Sequence, residues 1–407
     1  MADAILHIKD SYYFDVPKWL WSADYKSHED FPEVWVRLDS DFQKWEAEQL
    51  YLGLEQVNAK QTGKMPTSEE FQDGYSSWTH LPGNHGKPAK RYLKHLNDEA
   101  HNAEGASLTS HWTDLWSKQQ ADIKVRDYKP VDADHWNAVT IEGYNRALDG
   151  KILIPQLPGA QLRNLYQPES GLCISRFMII ELFVALVISV CFIGLARQIQ
   201  GGQVARGRFW NLLDVFVGFL RKQVIEPAIG HGAEKFVPLL WTMFFFVLGC
   251  NLLGMIPWVG APTSSFSVTL ALAFATFIIG LGAGALKFGP VGVWLNLIPG
   301  MDLPLPIAVI VKPMLFVIEV MGLMIKHTVL GIRLLANMVA GHLVLLGIMG
   351  IAYDPALFEE PSWYFIFPAV IIGCIAFSCL ELFVAFLQAY IFVSLSSLFI
   401  GSSTHHH

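Results

Sequence analysis

The chain has 407 residues and a formal net charge of −7 at pH 7, but these values average two unlike parts. Residues 1–170 carry 18 Lys and Arg and 26 Asp and Glu, whereas residues 171–407 carry 11 and 10 and consist largely of long apolar runs. This composition excludes a wholly soluble protein, and the acidic balance predicts no nucleic acid partner. We therefore predict an all-α polytopic membrane protein with a polar extension at its N-terminus.

The extension, residues 1–165, is predicted to lie outside the membrane. Its first residues, MADAILHIKDSYYFDVPKWLW, have charges where a secretory signal would have its apolar core. Short helix-like runs at 33–57 and 108–126 are separated by Gly and Pro residues, as in PGNHGKP at 82–88. This pattern is compatible with a small helical domain and with a long irregular insertion.

The histidines and cysteines do not follow the spacing of a metal site or a disulfide framework. Four histidines of the extension, His85, His95, His101 and His111, lack the tight spacing of metal ligands. We interpret them as solvated and predict no metal and no cofactor. All five cysteines lie in the membrane part, so no disulfide framework is predicted for the extension. The terminal HHH (405–407) is assigned no function.

The membrane domain, predicted over residues 166–407, begins with three shorter elements. The run at 174–197 is long enough to cross the bilayer. Residues 209–232 mix apolar and charged positions, which is typical of an amphipathic helix lying on the membrane surface. Residues 236–286 are predicted to form a helical hairpin that turns at VGAPTS (259–264).

Two further apolar segments, 306–349 and 362–400, are interrupted only by isolated charges. At about 1.5 Å per residue, each helix would be roughly 60 Å long, twice the ~30 Å thickness of the hydrocarbon layer. Each must therefore be broken or lie at a steep tilt in the membrane. We expect the two to form an antiparallel pair joined by IAYDPALFEEP (351–361).

Basic residues near the first span predict how the chain is oriented. The turn of the hairpin carries no charge. Five basic residues, by contrast, follow the first span: Arg197, Arg206, Arg208, Arg221 and Lys222. The positive-inside rule places these residues in the cytoplasm, so we expect the extension on the opposite face and the C-terminus in the cytoplasm.

Ionisable residues recur at a spacing of seven in the first long segment. They fall on one slowly drifting helix face, which is formed by Lys312, Glu319, Lys326 and Arg333. Asn337 continues this face one turn after Arg333. Each charge at the middle of a membrane costs about 2.5–3.5 kcal/mol, so such residues usually face a partner or an aqueous cavity.

The second long segment has a polar face of its own, because Glu381 and Gln388 are also seven residues apart. One interpretation of both faces is internal ion pairing, in the pairs Glu319–Lys326 and Glu381–Arg333. The other interpretation is an ion path. For the lysines we favour pairing or snorkelling to an interface, and for Arg333 and Glu381 we favour an ion path.

His342 lies nine residues after Arg333, which is about half a turn out of phase on an ideal helix. We therefore expect it to face away from Arg333 and toward Glu381 on the partner helix. A lone histidine among apolar residues fits either a hydrogen-bonded core residue or a member of a proton relay, and both interpretations stay open here.

Four stretches of the membrane part are similar to subunit a of F-type ATP synthases. They follow the order of that family across residues 170–400: NLLGMIP (251–257), SVTLALA (267–273), GIRLLANMVAGH (331–342) and LELFVAFLQAYIFVSLSSLFI (380–400). Residues 21–150 have no counterpart in the family and look like an insertion. The resemblance implies the stator proton-channel subunit of a bacterial ATP synthase in the inner (plasma) membrane, with the extension in the periplasm.

The resemblance also implies roles for individual residues. Arg333 matches the arginine that faces the rotating ring of c subunits, and Asn337 and Gln388 match polar residues beside it. His342 and Glu381 match a pair that lines the proton entry path. Together these residues would protonate and deprotonate the ring carboxylates in two offset half-channels and so couple proton flow to ring rotation.

Further candidates follow from the same resemblance. Glu319 matches an acidic residue toward the cytoplasmic exit, and the secondary candidates for the proton path are Lys326, Asn251 and Ser265. The implied partners are the c-subunit ring, the b-subunit stator stalk, the F1 head and the lipid bilayer. We expect the subunit to serve ATP synthesis and proton transport without a catalytic site of its own.

Two positions depart from the family pattern. His327 stands where many members have proline, so the bend before Arg333 is expected to differ. Gly254 stands where some members carry an aspartate on the entry path. This change leaves Glu381 and His342 to serve the entrance with fewer acidic neighbours.

An ion- or solute-coupled secondary transporter is the alternative interpretation of the charged faces. Such proteins often contain internal repeats and broken half-helices, but no repeat relates the hairpin to the long pair. A membrane-anchored enzyme is not supported, because the chain has no HExxH, nucleophile elbow or phosphate loop.

Overall fold

The structure is a computed structural model that describes residues 9–58, 67–81, 83–84, 87–102, 123–200, 207–230, 232–256, 259–296, 305–352 and 363–404. Some of the sequence expectations concern other residues. These lie outside the described residues: His85, His111, the side chain of His101, Arg206, the terminal HHH, the connection after Ala352 and most of the run at 108–126.

The chain divides into two compact units. One contains Ser11–Ser175, and the other contains Arg176–His407 together with the N-terminal residues through Asp10. The first unit is built from the polar part of the sequence, and the second from its apolar runs.

The first unit is mainly helical, with short strands near its two ends. Its described elements are β1 (Tyr13–Asp15), α1 (Glu33–Val36), α2 (Ser40–Asn58), α3 (Ser68–His80), α4 (Ala89–Asn102), α5 (Ala138–Leu148), β2 (Lys151–Leu153), β3 (Gln161–Asn164) and β4 (Gln167–Ser170). β1 pairs antiparallel with β2, and β3 pairs antiparallel with β4. The helix-like run at 33–57 is thus two helices. Asp39 starts the second by accepting the backbone N–H of Asp41 at 2.8 Å.

Two aromatic-rich cores hold this unit together. Helices α2, α3 and α4 bury one set of side chains, which includes Leu50, Leu54, Phe71, Tyr75 and Tyr92. The second set surrounds Tyr128 and includes Phe31, Phe42, Trp45 and Leu148. Of the two possibilities left open by the sequence, the described part of the extension fits a small helical domain with its own hydrophobic cores.

The second unit contains the membrane helices. Its described elements are α6 (Arg176–Ile199), α7 (Arg208–Phe219), α8 (Glu226–Ile229), α9 (Val237–Gly254), α10 (Phe266–Phe288), α11 (Gly292–Leu295), α12 (Leu305–Ala352) and α13 (Trp363–Thr404). Five helices, α6, α9, α10, α12 and α13, are long and apolar enough to cross a membrane in the described part of the chain. The predicted class, an all-α polytopic membrane protein, is confirmed.

The predicted amphipathic segment is α7, a π-helical turn at Leu220–Ile225 and α8. The π-helical turn and α8 pack into the central core of the membrane unit through Leu220, Val224, Ile225 and Ile229. On α7, by contrast, Phe209, Leu212 and Val215 are more than half exposed. On the polar side of the segment, Arg221 forms ion pairs with Glu226 at 2.8 Å and with Glu234 at 3.1 Å. The segment is amphipathic and part of its apolar face binds the helix bundle, while its placement on the membrane surface stays a prediction.

The two long segments are continuous helices of 48 and 42 residues. Of the two alternatives, broken helices or steeply tilted ones, the structure therefore has unbroken helices. At 1.5 Å per residue they are about 72 and 63 Å long, so a steep tilt is needed to keep them in the membrane. They run antiparallel. His327 of α12 contacts Phe399 of α13 with ring centroids 4.4 Å apart, and His342 approaches Glu381 fifteen residues later on α12.

Candidate functional site

The inner face of α12 fixes the orientation of its polar residues. Leu330, Leu334 and Met338 are almost fully buried and follow the spacing of one helix face. On the same face, a Cβ on Gly331 would lie 2.9 Å from the backbone oxygen of Thr269 on α10. This close approach of the two helices holds α12 in one rotational setting, which also sets the direction of the residues on its flanks.

Arg333 and Asn337 lie on one flank of α12, and both side chains are half-buried. Arg333 forms no ion pair with any carboxylate among the described residues. The predicted Glu381–Arg333 pair is therefore absent from the described structure, and so is the Glu319–Lys326 pair. Both pairings would have offered a purely structural account of these charges.

Glu381 and His342 meet on the other flank of the α12–α13 pair. Glu381 is 6% exposed, and its Oε1 lies 3.4 Å from Nδ1 of His342. The expectation that His342 faces this carboxylate and not Arg333 is confirmed. Gly341 makes the approach possible, because a Cβ at this position would lie 2.6 Å from Oε1 of Glu381.

Gln388 continues the polar face of α13 that starts at Glu381. Ala385 and Ala389 lie on the same side and are almost completely buried, which lets neighbouring helices approach closely. Asn251 of α9 uses this space, and its side-chain amide donates to the backbone oxygen of Ala385 at 3.3 Å. The antiparallel register of α12 and α13 places Gln388 level with the turn around Asn337.

The other sequence candidates are placed as follows. Glu319 is half-buried, and Lys326 is exposed, as is Lys312. Ser265 precedes the first turn of α10, and its hydroxyl lies 2.8 Å from that of Ser267. Among the described residues, none of these side chains forms a hydrogen bond or ion pair with Arg333.

The side chain of His327 packs at the meeting point of three helices. The residue is 5% exposed, and its ring lies against Phe277 of α10 and Phe399 of α13. Nδ1 lies 2.8 Å from the backbone oxygen of Leu323, one turn earlier. Because that oxygen only accepts hydrogen bonds, the proton of the neutral ring is assigned to Nδ1. α12 is helical through this position, and the expected difference in bend before Arg333 stays a prediction.

One acidic residue escaped the sequence analysis. Glu181 is the single carboxylate within the first span, and its Oε1 is buried without a hydrogen-bond partner among the described residues. Its sequence signal was present, because an isolated acid inside an apolar span of a membrane protein often marks a functional position. Glu181 does not belong to the regular spacing of charges in the long helices, on which the prediction of site residues was based.

The membrane unit matches a known family over most of its length. The profile of the ATP synthase A chain matches residues 178–401, which is more than half of the chain. The chain belongs to the ATP synthase A chain family. All of the polar residues described above fall within the matched region.

Curated relatives agree with this assignment. The chain is 35% identical to ATP synthase subunit a of Chloroherpeton thalassium over 57% of this chain and 67% of the relative. It is 34% identical to ATP synthase subunit a of Myxococcus xanthus over 61% of this chain and 80% of the relative. A third subunit a, from Anaeromyxobacter dehalogenans, is 42% identical over 50% of this chain and 51% of its own length. The chain is a multi-pass membrane protein of this family.

Proposed function

We propose that this chain is the stator proton-channel subunit of a bacterial ATP synthase and that Arg333 separates two offset half-channels. The observation that carries the proposal is the division of charge around the α12–α13 pair. Arg333 has no ion-pair partner among the described residues on one flank, whereas Glu381 and His342 lie together on the other. A helix pair kept only for packing would be expected to neutralise its buried charges internally.

The surroundings of Arg333 support contact with a moving apolar partner. Val329 and Ile332 are 43% and 44% exposed, and Ala336 and Ala340 continue the exposed side of α12 with small side chains. In a soluble protein such a surface would be a liability, but in a membrane it can face lipid or another helix. A ring of c subunits that carries one carboxylate on each outer helix fits this face.

The proposed cycle uses the permanent charge of Arg333. A ring carboxylate that faces lipid is protonated and neutral, and the nearby guanidinium favours its ionised form when it arrives. The released proton leaves by the half-channel toward Glu319, and the next carboxylate is reprotonated at the half-channel of Glu381 and His342. Because arginine does not give up its proton, Arg333 blocks a direct leak between the half-channels without carrying protons itself.

Asn337 and Gln388 supply polar groups at the level where ring and stator meet, and Lys326, Asn251 and Ser265 are proposed as secondary contributors.

In this arrangement the extension lies in the periplasm and the C-terminus in the cytoplasm. The proposed partners are the c-subunit ring, the b-subunit stalk and, through the complex, the F1 head. The proton gradient supplies about 2.3 kcal/mol per charge for each 100 mV.

The test is ATP-driven proton pumping by the complete synthase in inverted membrane vesicles. Arg333→Ala is expected to abolish pumping, and Arg333→Lys to restore little of it, since a buried lysine can neutralise. Lys312→Ala is the matched control, because it removes an exposed cation from the same helix. Near-normal coupled pumping by Arg333→Ala in fully assembled complexes would refute the assignment.

Copurification separates this proposal from a secondary transporter. A channel subunit should be isolated with a small two-helix proteolipid and a soluble ATPase head. The described helices add no support for the transporter, because α9 and α10 have 18 and 23 residues whereas α12 and α13 have 48 and 42. Repeated halves would be expected to have similar lengths.

A further inference from the structure

An apolar cavity of about 410 Å³ lies between the first span and its neighbours in the membrane unit, where side chains of α6, α7, α9 and α13 line it. Its back wall is buried, because Val184 and Leu248 are 3% and 7% exposed, whereas Phe183 and Leu212 at its mouth are more than half exposed. The cavity is therefore a pocket that opens on the outer surface of the helix bundle. In a membrane, that surface meets hydrocarbon.

Two close contacts fix the helices around this cavity. α6 meets α9 at Gly249, where a Cβ would lie 2.8 Å from Cγ1 of Val184. α6 meets α7 at Gly194, where a Cβ would collide with the ring of Trp210. The helices cannot close over the cavity without breaking these contacts. Left empty, a space of this size is unfavourable, because its lining loses packing contacts.

The lining of the cavity favours a hydrocarbon occupant. Apart from Cys191 and Gly249, all of the lining residues are Phe, Leu, Val or Ile. These side chains offer no hydrogen bonds, so a polar ligand would lose its hydration without compensation. A helix with its side chains is about 10 Å wide, so roughly one 5.4 Å turn of it would fill this volume. A flexible acyl chain, by contrast, fits into the pocket along its length.

The chain around the α7 end of the cavity carries only positive charge. Residues 182–213 contain three arginines and no Lys, Asp or Glu. Arg208 directly precedes Phe209, which lines the cavity, and Arg197 lies one turn beyond Gly194, where α6 meets α7. Both arginines are exposed, and neither forms an ion pair among the described residues. Two such cations beside an apolar pocket complement the phosphate of a lipid whose acyl chain fills the pocket.

We propose that this cavity binds one acyl chain of an anionic phospholipid and that Arg208 and Arg197 hold the phosphate of the same lipid. The lipid completes the packing of α6 against α7 and α9, and it covers part of the exposed apolar face of α7. In the predicted orientation both arginines lie on the cytoplasmic side, where basic residues attract anionic headgroups. The inference does not depend on the proton path proposed above.

The test uses the complete synthase in lipid nanodiscs that contain a photoreactive phospholipid. Two such probes carry a diazirine in the acyl chain, and they differ in the headgroup, which is anionic phosphatidylglycerol or zwitterionic phosphatidylcholine. After irradiation, the labelled residues are mapped by mass spectrometry. We expect the anionic probe to label residues 183–192 and 209–216 at least about fivefold more than the zwitterionic probe, because two arginines favour the anion. Equal labelling by the two probes would overturn the anionic lipid.

Substitutions of the arginines test the phosphate site. In the double variant Arg197→Gln/Arg208→Gln, labelling by the anionic probe should fall to within about twofold of that by the zwitterionic probe. Lys312→Gln removes an exposed cation from α12, so it is the matched control and should keep the preference. A preference that persists in the double variant would overturn the assignment of the phosphate to these arginines.

Filling the cavity tests the site of the acyl chain. Leu212→Trp enlarges a side chain at the mouth and should lower the labelling of residues 183–192 by both probes about fivefold. Leu186→Trp is the matched control, because Leu186 is 61% exposed on α6 but does not line the cavity. If Leu212→Trp does not assemble, Val187→Phe fills the cavity from α6. Undiminished labelling in the assembled filled variant would overturn the site.

A membrane helix of another subunit is the competing occupant of this surface. Such a helix would shield the cavity from lipid, so neither probe would label residues 183–192 in the original protein. That result would overturn the proposal, because protein and not lipid would then cover the cavity.

Discussion

At the scale of single residues, Gly341 controls the geometry of the Glu381–His342 pair. A Cβ at this position would lie 2.6 Å from Oε1 and 3.1 Å from Cδ of Glu381. The obstacle is the end of a flexible side chain and not backbone, so Gly341→Ala should fold with its carboxylate displaced. We expect proton pumping to fall at least about tenfold, since small misplacements of reacting groups have large effects on rate.

Gly347 offers the matched control for this prediction. It lies on the same helix, and a Cβ there would meet nothing within 4 Å. Gly347→Ala should therefore pump normally at equal amounts of assembled complex. Equal rates in the two variants would show that the position of the Glu381 carboxylate is not limiting.

Glu46 in the extension gives a pH-dependent prediction. Burial raises the pKa of Glu46 above its ordinary value of 4.5, and the hydrogen bond from Ala89 and the charges of Arg37 and Lys90 oppose this only in part. The folded state thus binds the proton more tightly than the unfolded chain. The stabilisation is present below the unfolded pKa and is lost as the pH rises through the folded pKa.

Replacing this carboxyl by an amide removes the effect of ionisation. Glu46→Gln keeps an oxygen for the Ala89 N–H, so it should strengthen amide hydrogen-exchange protection of α2 and α4 at pH 7.5 in the whole complex. At pH 4 the variant and the original protein should be alike. Glu55→Gln, which replaces an exposed carboxylate on the same helix, should leave the protection unchanged at both pH values. Weaker protection of Glu46→Gln at pH 7.5 would contradict the sign.

At the scale of elements, His327 joins α12 to two neighbouring helices. Its ring packs between Phe277 and Phe399, so His327→Ala would leave a cavity where α10, α12 and α13 meet. We expect a loss of about 2–3 kcal/mol of stability, measured as earlier thermal unfolding of the complex in lipid nanodiscs. Thr328→Ala changes an exposed neighbour and should have little effect. An unchanged unfolding temperature in His327→Ala would show that this contact is dispensable.

How far the sequence predicts these elements depends on whether the signal is local. The lengths of α12 and α13 and the half-turn offset of His342 from Arg333 follow from apolar runs and helical periodicity, and both were predicted. The π-helical turn at Leu220–Ile225 has no such local signal and depends on packing against α9 and α13. The close approach of Val184 to Gly249 is equally invisible, because it is set by the register between two helices far apart in the chain.

At the scale of the whole molecule, the chain leaves and re-enters the membrane unit at adjacent points. Nη2 of Arg176 donates to the backbone oxygen of Lys9 at 3.1 Å, and Phe177 N–H donates to Asp10 at 3.2 Å. Lys9 and Asp10 thus belong with the start of α6, although 165 residues separate Asp10 from Arg176 in sequence. An inserted domain whose two attachment points are this close can in principle be removed without displacing either end.

The insertion geometry predicts the outcome of that removal. If residues 11–175 are replaced by a short Gly/Ser linker, the membrane unit should still assemble and pump within about twofold of the original rate, because Lys9 and Asp10 are hydrogen-bonded to Arg176 and Phe177. A larger deletion that also removes Lys9 and Asp10 breaks the hydrogen bonds to Arg176 and Phe177. It should therefore lose much more activity at equal assembly. If the smaller deletion alone prevents assembly, the extension is part of the stator's architecture and not an insertion that the membrane unit tolerates.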